Sequence, residues 1–281
     1  QVGLGAGIDE ILGLMVRLYV ESGDAVVTSL GAYPTFNYHV EGFGGLLHKV
    51  PYRDDHEDLE ALLAKVRKVQ PKLVYVANPD NPMGTWHDAD ALRSFIAELP
   101  ESSILLLDEA YVDFAPEEAV LPLAPDEARV VRLRTFSKAH GMAGARIGYV
   151  VADDVVITAL DKVRNHFGVN RIAQAGALAS LKDGEFVRSV VRQVAEGKRE
   201  YAAMAAELGL QMIPSATNFA AIDVGDGERA RTLLQALLMR DVFVRMPGVA
   251  PLDRCIRLTV GPAAERSAFA QILRDVLPEI G

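Results

Sequence analysis

Apolar residues recur along the chain in two patterns, one typical of amphipathic helices and one typical of buried strands. Helical spacing places apolar residues three and four positions apart on one face. The helices predicted in this way are Asp9 to Val20, Asp58 to Gln70, Asp88 to Leu99, Phe186 to Leu208, Glu228 to Met239 and Ala264 to Leu277. Short, almost continuous apolar runs predict the strands Ala25 to Ser29, Leu46 to Val50, Lys72 to Ala77, Ile104 to Asp108, Arg129 to Thr135, Arg146 to Val151, Phe219 to Val224, Val242 to Arg245 and Ile256 to Val260.

The order of these elements predicts the fold class. As far as about Gly184, strands alternate with helices, which is the order of an α/β protein with a largely parallel sheet covered on both faces. The remainder reads as a smaller α+β unit. We therefore expect a large domain over residues 1–185 and a small C-terminal domain over residues 186–281. Ligands of such sheets bind at the carboxyl ends of the strands.

Composition narrows the classes of protein that fit. The 281 residues are 50% hydrophobic, yet no apolar run reaches the length of a membrane span, and no signal peptide is visible. A net charge of −9 with scattered basic residues argues against nucleic-acid binding. One cysteine, Cys255, fits a reducing compartment, so we expect a cytoplasmic protein. Because Gln1 leads almost at once into a glycine-rich turn, we also expect a segment to precede it.

A lysine follows one of the predicted strands in the sequence Thr135-Phe136-Ser137-Lys138. In a pocket, desolvation lowers the pKa of a lysine and frees its amine for Schiff-base chemistry. The hydroxyls of Thr135 and Ser137, with Arg146 further along the chain, suit a phosphate monoester. A surface lysine after a strand remains the alternative.

Asp108 directly follows the apolar residues Ile104 to Leu107. A carboxylate at the end of a buried strand needs a partner, and a protonated pyridine nitrogen is a suitable one. Tyr111, three residues later, is placed to donate to the phenolic oxygen of such a ring. The alternative is an aspartate that caps a helix beside a tyrosine that packs in the core.

Three further segments point to a ring with a phosphate group. The duplicated Asn-Pro steps of Asn78 to Gly84 make a kinked loop that can present the Asn81 amide rigidly. Tyr33, held by the following proline, can stack on a flat heterocycle, although a core aromatic is the plainer interpretation. The glycine-rich turn of Gly3 to Glu10 leads into a helix, whose free N–H groups suit a phosphate, although most turns of this kind merely connect elements.

Arg257 interrupts the last apolar strand of the chain. A half-buried arginine needs an anion, and the carboxylate of a substrate would serve, with Asn218 as a helper from another strand. A structural salt bridge is the alternative. We assign no metal ligand.

In this order and spacing, the motifs resemble the fold-type I aminotransferases that depend on pyridoxal 5′-phosphate (PLP), across essentially the whole chain. The chain looks most similar to the histidinol-phosphate aminotransferase branch, particularly in Asp108 to Phe114, Arg134 to Ala139 and Cys255 to Gly261. The resemblance implies the PLP-transferase fold, a homodimer with active sites at the subunit interface, and transfer of an amino group to 2-oxoglutarate.

The resemblance also implies a role for each motif. Lys138 would hold PLP as a Schiff base and move protons, while Asp108 would pair with its pyridine nitrogen. Asn81 and Tyr111 would hold the phenolic oxygen, and Tyr33 would stack on the ring. The phosphate would be bound by Thr135, Ser137, Arg146 and the amides around Ile8 and Asp9, and the substrate by Arg257, with Arg245 near its distal end.

Two departures bear on the substrate. Met83 stands where the family usually has threonine, and the segment Asn165 to Arg171 is bulkier than expected. His140 and His166 either approach the substrate or are structural. Two other PLP-dependent functions remain as alternatives, an aromatic aminotransferase and a threonine-phosphate decarboxylase. One alternative is not an enzyme: the aminotransferase-like sensor domain of a transcription regulator.

Overall fold

The computed structural model describes residues 1–124 and 126–280, and a seven-stranded sheet lies at the centre of these residues. Its strands are β1 (Val2–Gly5), β2 (Ala25–Ser29), β3 (Leu46–Val50), β4 (Leu73–Ala77), β5 (Ile104–Asp108), β6 (Val130–Thr135) and β7 (Gly148–Val151). They are arranged in the order β1-β7-β6-β5-β4-β2-β3. The strands β2 to β6 pair in parallel, whereas β7 is antiparallel to both β6 and β1. The predicted largely parallel sheet is therefore confirmed.

Helices cover both faces of this sheet, because successive side chains of a strand point in opposite directions. On β4, Tyr75 belongs to one apolar cluster and Val74 and Val76 to the other. The first face packs against α1 (Ile8–Tyr19), α2 (Pro34–Gly42) and α5 (Asp154–Val163), and the second against α3 (Leu59–Val69) and α4 (Ala89–Glu98). The helices α3 and α4 begin where the side chains of Asp58 and Asp88 accept hydrogen bonds from backbone N–H groups.

The C-terminal part is a separate layer of three antiparallel strands and helices. Before it, α6 (Arg171–Lys182) packs on Phe136 and Ile147 of the large part. The elements of the C-terminal part are α7 (Gly184–Glu207), β8 (Gln211–Met212), β9 (Phe219–Asp223), α8 (Gly227–Leu238), β10 (Cys255–Thr259) and α9 (Ala263–Val276). The apolar faces of α7, α8 and α9 enclose a core of their own against β9 and β10. The predicted division between residues 185 and 186 stays a prediction, and Gly281 lies outside the described residues. Across residues 1–124 and 126–280, no helix has the length and apolar character needed to cross a membrane.

Two predictions about local structure are wrong. The segment Val242 to Arg245 is not a strand, since it contributes only one isolated bridge, in which Arg245 pairs with Arg257. Asp241, at a positive φ of 59°, turns the chain immediately before it. Arg146 does not begin a strand either: it occupies a left-handed turn at φ 55°, and β7 starts at Gly148.

A small apolar cluster joins the two parts of the molecule, and we call it the joint cluster. It consists of Met83, Ile213, Ala221, Leu252 and Cys255, with Tyr52 and Val249 packed against it. Met83 is completely buried there. Beside the cluster, the Arg254 guanidinium donates to both oxygens of Asp55 at 2.8 Å and to Asp223 at 2.7 Å. Met83, the departure noted in the sequence, thus fills the contact between the two parts.

Candidate active site

A cavity of about 680 Å³, measured out to its open mouth, lies at the carboxyl ends of β4, β5 and β6. Every residue predicted from the sequence to bind the cofactor lines it. These residues are Ile8, Asp9, Tyr33, Asn81, Asp108, Tyr111, Thr135, Ser137, Lys138 and Arg146. Sequence segments up to 138 residues apart therefore converge on one site.

Lys138 lies in the loop that follows β6 and is half-buried. Its Nζ atom is 5.1 Å from the centre of the Tyr111 ring. Burial lowers the pKa of the Lys138 amine, and the Asp108 carboxylate opposes that shift. The consequence is a larger share of free amine near neutral pH, which is the form that attacks a carbonyl group.

Asp108 ends β5 and is almost fully buried. Its Oδ2 accepts a hydrogen bond from the Tyr75 hydroxyl at 2.8 Å, and its Oδ1 accepts one from the Ala110 N–H at 2.9 Å. Burial raises the pKa of Asp108 to about 6, while the hydrogen bonds and the Lys138 ammonium act in the opposite direction. Asp108 is therefore a buried carboxylate whose two hydrogen-bond donors are neutral. A cation bound beside it would stabilise its negative charge.

An anion cradle lies at the other end of the cavity, at the start of α1. The residue before this helix is Gly7, which has no side chain to cap the first N–H groups, and Ile8 and Asp9 of the first turn line the cavity. The Arg146 guanidinium lies against Gly7, where a Cβ atom would be only 2.5 Å from Nη2. Thr135 donates to the Ser137 hydroxyl at 3.0 Å nearby. Helix amides, hydroxyls and a guanidinium together suit a phosphate dianion.

Tyr33 lies at the side of the cavity, and its hydroxyl donates to Asp9 at 2.8 Å. Burial is the main reason that the pKa of Tyr33 is raised to about 12. Tyr111 is held edge-on against Phe219, with ring centres 5.3 Å apart. Both phenols remain protonated near neutral pH, because burial raises the pKa of Tyr111 as well. They can therefore donate hydrogen bonds.

The arrangement of these groups fits PLP. Asp108, at the end of β5, suits a protonated ring nitrogen, and the cradle at α1 suits the phosphate. Lys138 is placed in the same cavity to meet the aldehyde carbon. Tyr33 and Tyr111 supply aromatic walls for a flat ring.

The three predicted substrate residues are placed differently from one another. Arg257, on β10, donates to Asn81 Oδ1 at the cavity and lies 4.9 Å over the Phe219 ring. Arg245 is exposed and forms the isolated bridge with Arg257, so that both side chains lie on the same face. Asn218 accepts a hydrogen bond from the Val260 N–H through its backbone oxygen and lies outside the cavity lining within the described residues.

The two histidines lie outside the cavity lining in the part of the chain that the structure describes. His140 hydrogen-bonds to Ser180 on α6 at 2.7 Å and packs against Phe136, with ring centres 4.8 Å apart. His166 is exposed. Sequence reasoning missed Tyr75, which lines the cavity. The available signal was a tyrosine inside the otherwise aliphatic strand that leads into the Asn-Pro loop.

Comparison with known proteins gives consistent matches. The family model described as "Aminotransferase class I and II" matches residues 1–274. "Histidinol-phosphate aminotransferase 2" of Pseudomonas fluorescens is 37% identical over 281 residues, 99% of this chain and 75% of that protein. A protein of the same name from Ralstonia nicotianae is 36% identical over 99% of this chain and 75% of its own length. The crystal structure of histidinol-phosphate aminotransferase from Sinorhizobium meliloti in complex with pyridoxal-5′-phosphate superposes with a TM-score of 0.98, at 49% identity, over 100% of this chain and 77% of that one.

Proposed function

This chain belongs to the family of class I and II aminotransferases, and we propose that it removes the amino group of histidinol phosphate. It has the PLP-transferase fold of type I and is a PLP-dependent aminotransferase. The observation that carries the substrate proposal is a cavity with a lysine and a carboxylate for the cofactor, and an arginine, Arg257, that donates to Asn81 of its lining. The names of the most similar relatives support the same substrate.

Asp108, Asn81, Tyr111 and Lys138 would hold PLP at the carboxyl ends of the strands, and the cradle at α1 would hold its phosphate. When bound, PLP supplies an electron-withdrawing ring that stabilises the negative charge left by a departing proton. Lys138 Nζ is the base within reach, because burial lowers its pKa and leaves the amine free to accept a proton from the substrate's α-carbon. The protonated amine would then return that proton to the carbon on the other side of the nitrogen that is transferred.

Arg257 and Arg245 are proposed to bind the anionic groups of the substrates. They sit opposite each other on one face beside the cavity, and burial lowers the pKa of Arg257 by removing the water that would solvate it. An anion replaces that lost solvation. Histidinol phosphate carries a phosphate, and 2-oxoglutarate, the proposed acceptor, carries two carboxylates. One arginine pair would therefore serve both halves of the reaction.

We propose that the protein acts as a homodimer. Phe167 and Ile172, just before and in the first turn of α6, are 97% and 86% exposed, and a second copy of the chain would cover them. Light scattering on the purified protein tests this. A monomer at micromolar concentration would contradict it. A cytoplasmic location stays a prediction.

The absorbance spectrum of the purified protein with PLP tests the proposed function. We expect a visible band from PLP bound to Lys138, which histidinol phosphate converts to the pyridoxamine form and which is lost in Lys138→Ala. Conversion by phenylalanine or tyrosine alone would instead identify an aromatic aminotransferase. Carbon dioxide release from a phospho-amino acid would identify a decarboxylase. Normal amino transfer by Lys138→Ala would contradict the lysine assignment altogether.

A further inference from the structure

Tyr75 is a buried tyrosine that none of the cofactor motifs includes. It is completely buried on β4, yet its side chain lines the cavity. In the pairing of β4 with β5, Ala77 lies opposite Asp108, so Tyr75, two residues earlier, points to the same face as Asp108. Tyr75, Ala77 and Asp108 all line the cavity, and the Tyr75 hydroxyl reaches the carboxylate there.

The orientation of Tyr75 is fixed by its surroundings. Its ring stacks on Phe36 of α2, with centres 4.7 Å apart and planes inclined by 17°. Its hydroxyl donates to Asp108 Oδ2 at 2.8 Å. Burial raises the pKa of Tyr75 well above its usual range, so the hydroxyl keeps its proton and acts as a donor. An aromatic stack and one strong hydrogen bond therefore define a single position for this group.

We propose that Tyr75 is a positioning residue for the cofactor: its hydroxyl holds the Asp108 carboxylate in the orientation and the ionised form that receive the protonated ring nitrogen of PLP. The proposal rests on the proposed function, because it presupposes that PLP occupies the cavity. Without this donor, Oδ2 would lose one of the groups that offset its burial. The carboxylate would then bind a proton more readily and could rotate about its Cβ–Cγ bond.

The charges around Asp108 decide the sign of the pH effect. Lys138 faces it from the loop after β6 and favours ionisation, whereas Asp9 of α1 opposes it. The negative charges of Glu57 and Asp80 act on Tyr75, and the charge of Asp108 acts on the phenols of Tyr33 and Tyr111. Because the pKa of Asp108 is about 6, cofactor affinity is expected to hold above that pH and to fall below it. Loss of the Tyr75 hydroxyl should move this fall to higher pH.

The test is calorimetric binding of pyridoxamine 5′-phosphate to the apoenzyme, because this form of the cofactor makes no bond to Lys138. Tyr75→Phe removes the hydroxyl and keeps the stack on Phe36. At pH 7.5 we expect its Kd to rise about tenfold, the effect of losing one hydrogen bond to a charged group. Binding of inorganic phosphate alone should be unchanged, because the cradle at α1 is intact.

A double-mutant cycle assigns the effect to the contact. In the Asp108→Asn background, Tyr75→Phe should have little further effect on Kd, since the charged acceptor is already gone. Tyr201→Phe is the matched control. Tyr201 is a buried tyrosine of the C-terminal part whose hydroxyl donates to the Thr259 carbonyl at 3.3 Å. The Tyr201→Phe substitution should lower the melting temperature without weakening cofactor binding.

The outcomes separate this proposal from the proposed function. If the wild-type protein does not bind pyridoxamine 5′-phosphate, both are overturned. If the wild type binds and Tyr75→Phe binds equally well with the same pH dependence, only the role of Tyr75 is overturned. Equal weakening by Tyr75→Phe and Tyr201→Phe would reduce Tyr75 to a purely structural residue. Should Tyr75→Phe fail to fold, the pH dependence of binding in the wild type and in Asp108→Asn still decides the question: identical profiles overturn the proposal.

Discussion

The carboxylates of the two parts of the molecule differ in burial and in the direction of their pKa shifts. In the large sheet, Glu57, Asp80 and Asp108 are buried, and burial raises the pKa of each, to about 8, about 7 and about 6 respectively. In the C-terminal part, Glu200 and Glu207 lie at the surface, where hydrogen bonds from Arg266 and Arg274 lower their pKa. The buried carboxylates accept hydrogen bonds mainly from neutral donors, whereas the surface carboxylates form ion pairs.

This difference indicates which carboxylates can contribute free energy to the binding of a ligand. A buried carboxylate without a cation has an incomplete environment, and a cationic ligand can complete it. Exposed ion pairs are already complete and contribute little. Burial alone does not distinguish the two groups: Glu109 is equally buried but is paired with both Arg132 and Arg134, which makes it structural. Asp108 differs from Glu109 in having no arginine partner within the described residues, and from Glu57 and Asp80 in lining the cavity.

The largest expected effect comes from comparing a buried carboxylate with a carboxylate in a surface ion pair. Asp108→Asn should lower kcat/KM by about 100-fold or more, because a charge-assisted bond to the cofactor is lost. It should also release PLP on gel filtration. Glu207→Gln, which removes a surface partner of Arg274, should leave both properties unchanged. Steady-state kinetics and the visible spectrum measure this, and equal losses in the two variants would break the comparison.

Arg257 is the exception that sharpens the comparison, since it lies in the C-terminal part but reaches the cavity. Arg257→Lys keeps the charge and loses the two-pronged donor geometry, so KM for the anionic substrates should rise about 10-fold to 100-fold. The band of bound PLP should persist. Arg274→Lys is the control, because Arg274 pairs with Glu207 at the surface of the C-terminal part. A change in kcat with constant KM would contradict this role.

Met83 tests the contact between the two parts. Met83→Thr restores the residue usual in the family but removes a fully buried side chain from the joint cluster and adds a hydroxyl. We expect the free energy of unfolding to fall by about 1–3 kcal/mol, with cofactor binding retained. Urea unfolding measures this, and Met83→Leu, which keeps the volume, should be nearly neutral. A variant as stable as the wild type would show that Met83 does not hold the parts together.

The smallest effect concerns pH and stability. The folded-state pKa of Glu57, about 8, lies above its unfolded value, so between these values the folded protein binds more protons. The free energy of unfolding should therefore decline as pH rises from 5 to 8 and then level off. Glu57→Gln should flatten this decline by about 1 kcal/mol in urea unfolding at pH 6 and pH 8. A decline of the same size in both proteins would exclude Glu57 as its source.

The sequence predicted those features that depend on local pattern. The strands that end at Ala77 and Asp108 were predicted because uninterrupted apolar runs stop at polar motifs. Parallel strands bring such ends together, so the sequence alone grouped the cofactor residues. The helices predicted from apolar spacing to begin at Asp58 and Asp88 do begin there, and these side chains cap the first turn.

The features that were missed depend on contacts between distant segments. The helices α2 and α6 bury only two residues each, Phe36 with Val40 and Ala173 with Ala177, so they carry little helical periodicity. In the sequence, nothing distinguishes Tyr75 from an ordinary strand residue, because only the fold brings its hydroxyl to the Asp108 carboxylate. In the same way, the left-handed turn at Arg146 is set by the close approach to Gly7 rather than by its neighbours in sequence.

The pairing of the edge strand of the large sheet has a consequence for the order in which the chain is made. Strand β1 pairs with β7, so Val2 cannot take its place in the sheet until Val151 has been synthesised. The residues predicted to bind the cofactor lie between these two, from Ile8 to Arg146. Arg257, the arginine proposed to bind the substrate, is synthesised much later. A ribosome has therefore translated both strands of this pair and the whole predicted cofactor-binding set before it reaches that arginine.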